Sequence, residues 1–195
     1  MRFSPRAFGS ALAALALAAV LVGTAFAAGC SSGASTAAST AGSAEATAGT
    51  FPATTPNPGQ QPPPPALQDP RTAVYSYQLW ISYAYRVLNS DVASRTFDSE
   101  EEVRVNSYVM YNFQEGRAID QRLLVANVKA WESQGSTATV AMHEEWAYRY
   151  ISTATGKYTS PVQNASYETT YTLIRLNDNW VVHSVQAAPT GGPIK

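Results

Sequence analysis

An α+β fold is expected for residues 69–187: two N-terminal helices packed on a curved, four-stranded antiparallel sheet. Three observations predict it. Apolar residues alternate with polar ones from Leu123 to Gln186, the period of a half-buried strand. Val74, Tyr77, Ile81, Ala84 and Leu88 recur at spacings of three and four, the period of one helix face. The stretch 123–186 also carries three of the four Trp residues, and no Trp or Tyr precedes residue 75.

The first helix starts where Asp69-Pro70 offers an N-cap followed by Pro at the first helical position. Trp80 and Val87 widen its apolar face, Ser76, Ser82, Arg86 and Ser90 take the polar face, and Asn89-Ser90-Asp91 ends it. Ser99-Glu100-Glu101-Glu102 has the spacing of a capping box, and its acids suit the positive end of a second helix. Gly116 is the expected stop of that helix. The run 103–109 has some strand character; the caps favour helix. A short helical turn is expected within Asp91–Asp98.

Four strands follow. In the first, 123–132, Leu124, Ala126, Val128 and Ala130 share a face. Ser133-Gln134-Gly135-Ser136 is hairpin chemistry. The second, 137–151, puts Ala138, Val140, Met142, Glu144, Trp146, Tyr148 and Tyr150 on one face and His143, Glu145 and Arg149 on the other. A loop with Gly156, Pro161 and Asn164 leads to the third strand, 166–175, rich in β-branched and aromatic residues. Asn177-Asp178-Asn179 turns into the last strand, 180–186. Residues 188–195 are expected to be a tail.

Upstream lies an address. Arg2 and Arg6 precede an uncharged apolar run, Ala11 to Phe26, and Ala27-Ala28-Gly29-Cys30 closes it. This layout resembles a bacterial lipoprotein signal peptide, although Ala27 stands where that pattern prefers Leu. The resemblance implies cleavage after residue 29 and a diacylglycerol on Cys30, the only cysteine of the chain. An ordinary secretory signal or an uncleaved anchor also puts the domain outside the cytoplasm. The expected location is therefore the cell membrane, lipid-anchored, with the domain on the extracytoplasmic side. Residues 30–68 read as a disordered Ala/Ser/Thr linker with a stiff Pro-rich end, Pro62 to Pro65, giving clearance from the membrane. The formal net charge is −1, and loss of residues 1–29 takes it to −3. That balance gives no footprint for nucleic acid.

Several stretches then carry a second resemblance. Glu115-Gly116-Arg117, Gln121-Arg122-Leu123, Glu145-Trp146-Ala147-Tyr148-Arg149-Tyr150, Thr155-Gly156-Lys157, Tyr167 to Leu173 and Trp180-Val181-Val182 are similar to a nuclear transport factor 2-like domain. More narrowly, they resemble the intermembrane-space-type domain of plastid division proteins. The resemblance covers residues 70–187. It implies a cone-shaped roll with a pocket open at one end. Relatives include enzymes and many binding modules, often dimeric, so the fold alone does not choose.

The titratable residues available to such a pocket are Glu144, Glu168, Asp120, His143 and His183. Glu144 lies between Met142 and Trp146 on the apolar face and needs a partner, an arginine or the sheet rim, or a wet cavity. His143 is out of phase with it, and His183 reaches it only if a bulge re-phases a strand. No metal-ligand spacing, serine elbow or cofactor motif is present. The expected function is a non-catalytic ligand-binding or protein-interaction module, with Trp146, Tyr148, Tyr167 and Tyr171 lining its pocket or interface. The alternative is acid/base catalysis on a small apolar substrate by Glu144, with or without His183. The expected partners are the membrane through Cys30, a small apolar ligand or envelope protein, and a second copy of the chain.

Overall fold

Helix α1, Pro70–Val87, is buried on almost every side, because the sheet curls around one flank and the preceding chain covers another. The computed structural model describes residues 59–190, part of a unit spanning 43–195. Cys30, the segment before it and most of the linker lie outside the described residues, as does the end of the tail.

The Asp69 carboxylate accepts hydrogen bonds from the backbone of Arg71 and Thr72, and Pro70 takes the first helical position. The helix ends at Leu88, whose φ of 54° is left-handed. Its expected polar face is only partly polar in surroundings. Ser76 is buried because its hydroxyl accepts from the Ala66 amide at 2.9 Å. Ser82 is buried because it donates to the Gln78 carbonyl and accepts from Gln121 at 3.0 Å. Val87, expected inside, is exposed.

A 3₁₀ segment, Ser90–Thr96, leads to α2, Ser99–Gln114. The N-cap of α2 is Asp98, one residue before the expected Ser99, and it accepts from the Glu100 and Glu101 amides. Residues 103–109 are helical, so capping and the 105–109 apolar pair prevail over local strand preference. Gly116, at φ 66°, turns the chain into the sheet.

Strands β1 (Arg117–Gln134), β2 (Thr137–Ser152), β3 (Gln163–Leu176) and β4 (Asn179–Pro189) form one antiparallel sheet in the order β1-β2-β3-β4. Gly135 (φ 61°) opens the two-residue turn between β1 and β2, and Asn177 and Asp178 (φ 47° and 65°) make the one between β3 and β4. Three helical segments pack on this curved sheet, and Val140, Met142, Leu173 and Val182 form the core beneath α1.

Two bulges in β1, between Leu123 and Val125 and between Val128 and Ala130, correct the expected face. A bulge shifts the alternation by one residue. Leu123 is therefore 1% exposed and Leu124 is 42% exposed, while Ala126 and Val128 stay inside and Ala130 faces out. The second strand follows the expected alternation: Ala138, Val140, Met142, Glu144 and Trp146 are buried.

The Pro-rich end of the expected linker is docked rather than free. Pro62 and Leu67 are buried, Trp80 Nε1 donates to the Pro63 carbonyl at 3.0 Å, and the Trp180 amide donates to the Leu67 carbonyl at 2.8 Å. The ordered body thus begins before Asp69 and runs to Pro189 rather than 187. No described helix is long and apolar enough to cross a membrane.

Leu123→Ala is expected to cost about 2–5 kcal/mol of stability, whereas Leu124→Ser stays within about 0.5 kcal/mol. Urea unfolding of both variants checks the bulged register, since an unbroken alternation reverses their order.

Candidate functional site

Glu144 sits on β2 beneath α1, 3% exposed, and donors from three elements converge on it. Its Oε1 accepts from the Tyr171 hydroxyl at 2.6 Å and from Gln78 Nε2 at 2.8 Å. Its Oε2 accepts from Trp146 Nε1 at 2.9 Å. Gln78 also donates to the Tyr171 hydroxyl at 3.2 Å, closing a network between α1, β2 and β3. Burial pushes the Glu144 carboxyl above its usual range, and these neutral donors partly oppose the push. The expected arginine is not its partner.

The arginines are at Asp120 instead. Asp120 Oδ1 faces Arg86 Nη1 at 2.6 Å, while Oδ2 accepts from the Tyr158 hydroxyl at 2.8 Å and from Arg149 Nε at 3.4 Å. Arg149 also stacks on Tyr158. Asp120 is thus a structural ion-pair centre.

A second buried carboxyl comes from α2. Glu101 is 3% exposed, and its Oε1 accepts from the Tyr77 hydroxyl at 2.6 Å. Burial raises its affinity for a proton. Burial likewise lifts the Tyr77 and Tyr171 hydroxyls well above the usual phenol range. The two rings meet edge to face, centroids 6.0 Å apart.

These groups line a cavity of about 500 Å³ between the concave sheet face, α1 and α2. Trp146, Tyr148, Tyr167 and Tyr171 all contribute to its wall, as does Glu144. Gln121 and Ile119 enter from β1, Tyr85 from α1, and Tyr108 and Arg104 from α2. The volume suits a small organic molecule.

Neither histidine is there. His143 faces the other side of the sheet, with Nδ1 3.0 Å from Glu168 Oε1 and Nε2 3.5 Å from Glu145. Glu168 is on that outer face too, held below the usual carboxylate range by Lys129. A bulge does fall at His183, because Thr172 pairs with Ser184 and Leu173 with Val182. It aims the imidazole away from Glu144: Nδ1 donates to Asp98 Oδ2 at 2.6 Å, and Nε2 lies 3.3 Å from Glu100. The structure therefore brings the four aromatics and Glu144 together and leaves His183 out. Asp98 caps α2, takes the His183 proton donor and, through its amide, bonds the Val182 carbonyl at 3.0 Å. That junction fixes the end of α2 from which Glu101 projects.

Gln78 and Glu101 were not singled out from the sequence as site residues. Gln78 lies one position after Tyr77 and four after Val74, inside the apolar stripe of α1. Glu101 precedes Val105 and Val109 by four and eight, so it continues the buried stripe of α2. Each is a polar residue at an apolar position. Among the described residues, no group of three or more His, Cys, Asp or Glu side chains is placed to hold a metal.

No protein-family model and no curated protein matches the sequence. Solved structures do match. The intermembrane space region of the chloroplast protein ARC6 is 17% identical, with a TM-score of 0.53 over 63% of this chain and 98% of that one. A nuclear transport factor 2-like superfamily protein from Salmonella enterica serovar Typhimurium is 10% identical, with a TM-score of 0.40 over 63% of this chain and 92% of that one. At these identities the likeness is one of fold. The chain shares the fold of the ARC6 intermembrane space region, an α+β fold with helices packed against a curved antiparallel sheet.

Two predictions follow from the geometry. Glu144→Leu is expected to destabilise the protein by about 1–3 kcal/mol more than Glu144→Gln. Leucine leaves the Trp146 and Gln78 donors unpaired, whereas the Gln oxygen still accepts from Trp146 while Tyr171 and Gln78 reorient; thermal unfolding of both variants measures the gap. The Asp98 contact raises the affinity of His183 for its proton. A raised folded value makes this contribution complete below the ordinary histidine value of about 6.5 and weaker as pH rises through the folded value. With the imidazole one-third exposed, His183→Ala should cost about 0.2–1 kcal/mol near pH 5.5 and less near pH 9. Denaturant titrations at both pH values test it.

Proposed function

We propose that this chain is an exported, lipid-anchored protein whose cone domain binds a small apolar molecule without transforming it. The observation that carries the reading is the cavity of about 500 Å³ with Trp146, Tyr148, Tyr167 and Tyr171 in its wall. Aromatic side chains supply apolar area with few rotors to freeze, which suits binding. The Glu144 oxygens already accept from three donors, which leaves at most one of about four lone-pair sites for a substrate. No imidazole lines the cavity. Anchoring rests on the sequence around Cys30.

The second reading, acid/base catalysis by Glu144, has one observation in its favour: the carboxyl is buried in the cavity wall and its proton affinity is raised. Such a shift suits a general acid as well as a structural carboxyl.

Native mass spectrometry of the full chain, isolated from its own envelope under mild conditions, separates the readings. Binding predicts an added mass of a few hundred daltons, roughly what the cavity holds, and the same mass on Glu144→Gln. Catalysis predicts different masses, with product or nothing on the native chain and trapped substrate on the variant. A chain bare in both forms removes the cavity from consideration and leaves protein interaction as the role.

A further inference from the structure

The cavity wall carries more acidic side chains than basic ones. Glu101 and Glu144 are its two carboxyls, and Arg104 is its one basic side chain. Arg104 answers Glu101 poorly. Its Nη1 is 3.5 Å from Glu101 Oε2 and donates instead to the Val185 carbonyl at 3.0 Å, on a side chain that is half exposed. Glu101 Oε2 is buried and accepts no hydrogen bond. A carboxylate oxygen out of water with an acceptor site empty is costly to leave so. The rings of Tyr77, Tyr85, Tyr108 and Tyr171 line the same wall, with the Tyr77 hydroxyl on the other Glu101 oxygen. Aromatic faces and carboxylates attract the same kind of group, a weakly hydrated cation.

We propose that the cavity takes a small molecule with an apolar or aromatic body and a positively charged amine or ammonium head, seated against Glu101 and the tyrosine rings. This rests on the binding reading above and names the ligand class. The head exchanges the long Arg104 contact for a shorter one, and Arg104 swings outward from a position already half in solvent. Glu144 is a second acidic side chain in the same wall. A neutral hydroxyl can donate to Glu101 Oε2 but brings no charge to match it, and a carboxylate ligand meets two acids with a single arginine already engaged.

The test is a matched set of probes on the purified full chain: phenylbutylamine, phenylbutanol and phenylbutyrate, titrated by calorimetry. They share one apolar body and differ in charge. The amine is expected to bind at least about tenfold more tightly than the alcohol, with the butyrate weakest. Glu101→Gln keeps an oxygen for the Tyr77 hydroxyl and removes the charge. It should bring the amine down to the affinity of the alcohol and leave the alcohol unchanged, which also reports an intact cavity. Alcohol or butyrate binding the native chain as tightly as the amine overturns the charge preference while sparing the binding reading. A preference that persists in Glu101→Gln overturns the role of that residue. Absence of binding by all three overturns both, and the native-chain comparison decides the matter even if the variant does not fold.

Discussion

Burying one carboxyl without a cation beside it constrains three elements at once. Glu144 is out of water, so each of its oxygens must find a donor, and the donors come from α1, β2 and β3. A hydrogen bond tolerates only a few tenths of an ångström before it weakens. The spacing between helix and sheet is therefore held at this point, and the cavity lies beside it. Gln78 contributes twice, bonding Glu144 and Tyr171, so the helix cannot slide along the sheet without breaking both contacts. Only a joint replacement of Glu144 and its donors by apolar groups of the same volume would free this contact from its demand on direction.

A second fixed point lies at the other helix. Asp98 caps α2, and its contacts with His183 and with the Val182 carbonyl join the helix start to β4. The bulge at His183 makes this join possible, because an unbulged strand would carry the imidazole to another place. Glu101 is three residues further on, a little under one helical turn, and so it projects toward Tyr77. The two carboxyls thus reach the same wall by different routes: Glu144 by sheet alternation, Glu101 by helical periodicity from a pinned cap.

Local pattern made much of this legible. The even face of β2 is written in its alternation from Ala138 to Trp146, and the start of α1 in Asp69-Pro70. That Glu144 sits on the buried face was readable from the same pattern, as were the four aromatics near it. Its partners were not, because Tyr171 and Gln78 lie 27 and 66 residues away and nothing local names them. The faces of β1 were misread for a related reason. A bulge answers to the curl of the whole sheet, and the residues 123–130 carry no glycine or proline to mark it. Ser76 and Ser82 looked like solvent-facing residues, since small hydroxyls occur on both sides of a helix. Only the covering chain and Gln121 decide the matter.

The docked residues ahead of α1 have a mechanical consequence. Tension arriving from upstream meets the Trp80–Pro63 bond first, then the Ala66–Ser76 pair, then the Trp180–Leu67 bond. These contacts sit in series along a short strap and can peel one at a time, each rupture lengthening the chain by a few residues. The backbone from Asp69 onward is pulled directly only after these three contacts part.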